Sequence, residues 1–217
     1  MSMADYRKEE YWSRFANNFN DDQTYVVGEA VQQAIFERLS GESGLGELLE
    51  FGCGAGFFTK ALAENASHVM ATDLSDEMLA VARTQLKDCQ NVVVEKTDCE
   101  RTNFTDEKFD SVFMANLVHV IESPSTVLQE SCRILKGGGL LLIVDYTGYG
   151  MKRFEIMKMV IRYLRKWGKA GKPPGYFRGR LSPDELCSLV ESAGFKVEEV
   201  QLLGDKMKAL YLRGKKI

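Results

Sequence analysis

Glu50-Phe51-Gly52-Cys53-Gly54-Ala55-Gly56 decides how the rest of the chain reads. This stretch closes a short apolar run at residues 45–51 and leads into a helical pattern at 57–65. Three glycines at alternate positions let the backbone turn sharply and leave bare main chain for a ligand to lie against. A helix opening at such a loop points its unpaired N–H groups toward that ligand.

Working outward, the apolar pattern switches between two periods. Residues 68–72, 92–96, 109–115 and 140–146 read as strands, rich in β-branched and apolar side chains. Residues 76–87 and 125–135 read as helices, the first capped by Ser75 with Asp76 and Glu77 in its first turn, the second entered through Pro124. Strands alternating with helices of this length imply a parallel sheet covered on both faces. Upstream, residues 11–19 and 26–39 have the three- and four-residue spacing of two amphipathic helices, stopped by Gly41 and Gly44. Downstream, 151–169 reads as a long helix and 171–179 as a Pro/Gly loop. Ser182-Pro183-Asp184-Glu185 then opens another helix. Residues 195–203 and 207–213, separated by Gly204-Asp205, read as an antiparallel hairpin.

The chain has 217 residues, 45% hydrophobic and 27% charged, with a formal net charge of −3. Those values exclude disorder and fibrous repeats and suit one domain with a large core. No apolar run approaches the roughly 18–20 residues of a membrane-spanning helix. Residues 1–10 are charged and lack the apolar core of a signal peptide, so a cytoplasmic location is expected. Cysteines at 53, 89, 99, 132 and 187 have no zinc-type spacing, and His68 and His119 are the two histidines. Free thiols and no metal site are expected.

The loop does not suit a dinucleotide. The pattern G-x-G-x-x-G wants glycine or alanine at position 57, where this chain has Phe57. Glu50 suits an ammonium group rather than a pyrophosphate. Asp73 ends the second strand, where ribose hydroxyls bind in such folds, and Asp98 follows the third, in reach of an adenine amino group. Ammonium, ribose and adenine without phosphate describe S-adenosylmethionine.

Taken together, Glu50 to Gly56, Ala71-Thr72-Asp73-Leu74-Ser75, Thr97-Asp98-Cys99 and residues 109–121 resemble class I S-adenosylmethionine-dependent methyltransferases. Asn116-Leu117-Val118-His119-Val120-Ile121, with Leu135-Lys136-Gly137-Gly138-Gly139, is similar to the branch typified by quinone-biosynthesis (type 11) methyltransferases. The resemblance covers roughly residues 45–147 and more loosely the last two strands. It implies an α/β fold, a three-layer Rossmann-like sheet of seven strands in the order 3-2-1-4-5-7-6, mostly parallel with an antiparallel C-terminal hairpin. It implies that Glu50, Gly52 and Gly54 hold the methionine part, with the carbonyl of Ala115 or Asn116 on its ammonium. Asp73 would take the ribose hydroxyls, with Leu74 and Met78 packed near adenine or ribose. Asp98 and the Cys99 N–H would read the adenine, and Tyr11 and Tyr25 would cover the cofactor. S-adenosylhomocysteine would be the product. One domain then divides into cap helices (1–44), cofactor-binding core (45–147), a basic helix or lid insertion (148–181), and a final helix with hairpin (182–217).

Methyl transfer from a sulfonium needs alignment and exclusion of water more than a universal catalytic group. A base is required only for a protonated acceptor, and His119 and Asp145 are the candidates at the ends of the fourth and fifth strands. Trp12, Phe15 and Phe19 read as ordinary helix packing. Residues 149–180 hold ten basic side chains against the single acid Glu155, leaving the remainder of the chain at −12. On a wheel, Lys152, Lys158, Arg162, Arg165, Lys166 and Lys169 share one side. Phe154, Ile156, Met157, Val160, Ile161, Tyr163, Leu164 and Trp167 form the other, expected to pack on the core, with Arg153 inside the apolar arc. The basic side suits an anionic membrane surface, an acidic carrier protein or a phosphate-bearing substrate. An acidic chain without the Asn-Pro-Pro-Tyr type motif argues against nucleic acid. The expected activity is methyl transfer to a small or lipid-like organic acceptor. The competing readings are a protein-bound or nucleic-acid acceptor docked by helix 151–169, and a cofactor-binding protein without turnover.

Overall fold

The computed structural model describes residues 9–167 and 181–217, so the Pro/Gly loop expected at 171–179 and the cations Lys169, Lys172, Arg178 and Arg180 lie outside the described residues. Seven strands form one sheet: β1 (Glu47–Phe51), β2 (His68–Asp73), β3 (Val92–Lys96), β4 (Phe109–Ala115), β5 (Leu135–Thr147), β6 (Phe195–Leu203) and β7 (Lys208–Lys216). Their order is β3-β2-β1-β4-β5-β7-β6. The pairs among β1 to β5 are parallel, and β7 runs antiparallel between β5 and β6. This is the three-layer architecture that the alternation of strands and helices predicts.

Parity along each strand builds two cores. Leu48, Phe113, Leu142 and Val144 face one side, beneath α3 (Glu29–Ser40), α4 (Thr59–Ala63) and α5 (Asp76–Gln85). Leu49, Val112, Met114 and Ile143 face the other, beneath α6 (Pro124–Ile134) and α8 (Pro183–Ser192). Near-continuous apolar runs are what a sheet buried on both faces needs. Local chemistry sets the helix starts: the Ser75 hydroxyl accepts from the Met78 N–H at 3.2 Å, and Ser182 with Glu185 closes a reciprocal capping box.

Two helix expectations change. The amino-terminal pair becomes α1 (Glu9–Ser13), a 3-10 turn at Ala16–Asn18, α2 (Phe19–Val27) and α3. Gly28, at φ +91°, breaks the pattern that periodicity had joined across it. The basic helix, α7 (Arg153–Trp167), packs on α2 with Met159 and Tyr163 buried. Phe154, Met157, Ile161 and Leu164 are exposed, so the apolar arc expected to face the core is half turned outward.

Candidate functional site

All parallel strands end on one rim, and the glycine loop leaves β1 at its centre. Gly52, Gly54 and Gly56 have φ of +70°, +53° and +80°, the left-handed region where a side chain is strained. The loop is tied across the rim: the Cys53 N–H donates to the Thr72 carbonyl at 2.9 Å, and the Gly54 N–H to Asp73 Oδ2 at 2.9 Å. Asp73 Oδ1 also accepts from the Ser75 N–H at 2.9 Å. One carboxylate therefore joins the ends of β1 and β2. Burial pushes its pKa up, against those backbone hydrogen bonds.

Glu50 is 1% exposed, and Thr59 Oγ1 donates to its Oε2 at 2.7 Å. Among the described residues no cation pairs with it. Desolvation, helped by the neighbouring charge of Asp73 and opposed by the Thr59 hydroxyl, pushes its pKa up to about 7. A buried carboxylate in this state gains strongly from any cation delivered to it.

These groups line a cavity of about 320 Å³. Its wall contains Glu50, Gly52, Gly54, Asp73, Leu74, Met78, Asp98, Cys99, Ala115, Asn116 and Tyr11 from the expected cofactor set. Tyr25 is absent from that wall and 46% exposed, because α2 turns it away from the rim. Trp12, Phe15 and Phe19, expected only to pack helices, line the cavity, as do Phe57, Phe58, Gln32 and Tyr163, which the sequence reading had not assigned to the site. The signal available for Phe57 and Phe58 was their position directly after the glycine loop. Gln32 and Tyr163 carried none, since each reaches the rim from a distant helix.

At the end of β4 the chain turns through Asn116 at φ +55°. Its N–H donates to the Val144 carbonyl at 2.7 Å, and its Oδ1 accepts from the Tyr146 N–H at 3.1 Å. Three residues on, His119 meets Asp145: Nδ1 hydrogen-bonds to Asp145 Oδ1, and the His119 N–H donates to Oδ2 at 3.2 Å. Asp145 is fully buried, while His119 lines the cavity. The two candidate catalytic residues are thus in direct contact. A carboxylate on Nδ1 favours the tautomer that carries its proton there. Among the described residues no cluster of three metal-ligating side chains occurs, and no helix is long and apolar enough to cross a membrane.

The donor set fits S-adenosylmethionine: a buried carboxylate without a cation for the ammonium, a second carboxylate at the end of β2 for hydroxyls, and a glycine loop with no Cβ in the way. A family described as a methyltransferase domain matches residues 49–143. A demethylmenaquinone methyltransferase of Tropheryma whipplei is 26% identical over 188 residues, 81% of this chain and 78% of that protein. A ubiquinone biosynthesis O-methyltransferase of Dinoroseobacter shibae is 29% identical over 150 residues, 69% of this chain and 59% of that protein. Among solved structures, a possible histamine N-methyltransferase from Thermotoga maritima superposes with a TM-score of 0.69 at 22% identity, covering 96% of this chain and 99% of the other. A methyltransferase from Aquifex aeolicus gives 0.66 at 20% identity, covering 97% and 99%.

Proposed function

We propose that this chain is a class I S-adenosylmethionine-dependent methyltransferase that methylates a small, lipid-like acceptor at a hydroxyl or acidic carbon, with His119 as the base. The observation that carries this reading is the Asp145 carboxylate clasping His119 from two sides at the cavity wall. The similarity to quinone-pathway methyltransferases supports an acceptor of that chemical kind.

When bound, the cofactor supplies a methyl group on a positively charged sulfur. Glu50 holds its ammonium, Asp73 its ribose hydroxyls, and Asp98 with the Cys99 N–H its adenine. Leu74 and Met78 pack against the nucleoside, and Ala115 or Asn116 offers a carbonyl beside the ammonium. The aromatic side chains of Tyr11, Trp12, Phe15 and Phe19 close the cavity from above and exclude water. His119 Nε2 takes the proton of the acceptor as its nucleophilic atom develops charge. Asp145 keeps the opposite ring nitrogen protonated and stabilises the imidazolium that results. It acts through the ring and is a positioning residue.

His119→Gln tests the assignment. We expect kcat to fall about 10²–10⁴-fold, the usual contribution of a positioned base, while titration calorimetry shows unchanged S-adenosylmethionine affinity. Asp145→Asn should lower kcat and move its pH profile, because an amide cannot stabilise the charged ring. Wild-type turnover in His119→Gln would remove the base from the mechanism and point to an acceptor that is already a free nucleophile.

A further inference from the structure

Half of the exposed large apolar side chains among the described residues lie on one face of one helix. Phe154 (64% exposed), Met157 (58%), Ile161 (42%) and Leu164 (48%) recur at the spacing of a single stripe along α7. At 100° per residue they occupy roughly 80° of arc. Lys158, Arg162 and Arg165 border the stripe on one side and Arg153 on the other. Lys158 Nζ sits 4.1 Å over the Phe154 ring, so cation and ring share one surface. The opposite face of α7 is anchored: Met159 and Tyr163 are buried, and Lys166 pairs with Asp22 of α2 at 2.7 Å. Tyr163 also lines the cavity. The outward stripe is therefore held rigidly on the far side of a helix whose inner side walls the site.

An apolar stripe flanked by cations is the pattern of a helix lying in a bilayer interface, with rings and aliphatic chains in the acyl boundary and basic groups among anionic headgroups. Polynucleotides would use the cations and leave the stripe wet. A second copy across a two-fold axis would bring two sets of these cations together, with Glu155 the single carboxylate of α7 to offset them. We propose that the outward face of α7 docks this protein on an anionic lipid surface, a reading that draws its purpose, though not its geometry, from the lipid-like acceptor. Docking places the Tyr163 wall of the cavity directly behind the membrane-facing helix.

Co-sedimentation with vesicles tests this, comparing pure phosphatidylcholine with vesicles rich in phosphatidylglycerol. The wild-type chain should bind the anionic vesicles and not the neutral ones. Each basic residue near such a surface contributes about fivefold in affinity, equivalent to about 1 kcal/mol. Replacing Lys158, Arg162 and Arg165 with Gln should therefore weaken binding about a hundredfold at low salt, and the difference should vanish in molar salt. Phe154→Glu with Ile161→Glu should abolish binding at every salt concentration. Calorimetric titration with S-adenosylmethionine should be unchanged in both variants, which establishes that each is folded. A wild-type chain that ignores anionic vesicles overturns the proposal, as does a Phe154/Ile161 variant that still binds them. A dimer in sedimentation velocity that the same double substitution splits would reassign the face to self-association. Vesicle binding without methyl transfer to a lipid-soluble phenol would overturn the acceptor reading and leave docking intact. Transfer without vesicle binding would do the reverse.

Discussion

Two buried glutamates on the same side of the molecule have opposite surroundings. Glu42 is 4% exposed and saturated by its own chain: Arg38 and Arg213 pair with it, and the Tyr211 hydroxyl donates to it. The Arg38 guanidinium in turn stacks 4.0 Å over the Tyr211 ring. Glu50 is equally buried and has one neutral donor, Thr59. Burying a charge is costly unless it is paired. The chain meets that cost internally at Glu42, where α3, β6 and β7 converge, and leaves it standing at Glu50. The difference separates a carboxylate paired within the fold from one that lines the cavity with a single neutral donor.

Removing Glu42 should have the largest effect. Glu42→Gln takes the buried carboxylate that Arg38 and Arg213 share and leaves them only the more exposed Glu199 and Glu198. Breaking a buried pair costs up to about 3–5 kcal/mol. Denaturant unfolding should show that loss, while the folded fraction binds S-adenosylmethionine as before. If the stability loss falls below about 1 kcal/mol, the range of exposed pairs, Glu42 is no more than a surface salt bridge.

Glu50→Gln should move stability the other way. Its folded pKa of about 7 lies above the ordinary carboxylate value of 4.5, so the group favours the folded state while protonated. That contribution is complete below about pH 4.5 and is lost as pH rises to about 7. Above pH 7 the ligand-free Glu50→Gln chain should be more stable than wild type by about 3 kcal/mol at most. Cofactor binding should show the reverse sign, strengthening in the wild type as Glu50 ionises and falling more than tenfold in the variant. A thermal scan against pH, with and without cofactor, reads both. Parallel wild-type and variant profiles would erase the distinction from Glu42.

Asp73 lies between these extremes, since two backbone N–H groups already occupy it. Asp73→Ala should weaken cofactor binding about 10–100-fold, by the usual worth of charge-assisted hydrogen bonds. It should also cost about 1–3 kcal/mol of stability, because the Gly54 and Ser75 N–H groups lose their acceptor. Unchanged stability would mean that the glycine loop holds its shape without that tie. The smallest effect belongs to Tyr25→Ala. With the ring 46% exposed and outside the cavity wall, cofactor affinity should stay within twofold. A tenfold loss would show that α2 turns inward when the ligand binds.

Strands β3 and β4 were legible to the residue, since β-branched and apolar runs bounded by polar turns have few other uses. The amino-terminal helices were not, because periodicity cannot see that Gly28 adopts a left-handed conformation and restarts the helix. That Glu50, Gly52, Gly54, Asp73, Asp98, Ala115 and Asn116 share one cavity was readable because each sits at a strand end or on the turn after it, whereas Met78, Tyr11 and Tyr25 lie on helices. The His119–Asp145 contact was not, since it spans 26 residues and exists only because β4 and β5 pair in register from Ser111–Leu140 to Ala115–Val144. Glu42 went unnoticed altogether. Nothing near it in sequence announces that Tyr211 and Arg213 will arrive from β7.

The sequence by itself determined the alternation of strands and helices, the glycine loop, and the order Glu50, Asp73, Asp98 along successive strand ends. Each of these depends on chemistry within a few residues of itself. Only the tertiary structure decided which carboxylates are paired, which aromatic rings close the cavity, and which way α7 faces. That last choice shows the reason. An amphipathic helix with Met159 inside its basic arc and four large apolar side chains beside it can bury more than one stripe. The partner that selects among them, here α2 with Asp22 receiving Lys166, is chosen by the folded chain as a whole.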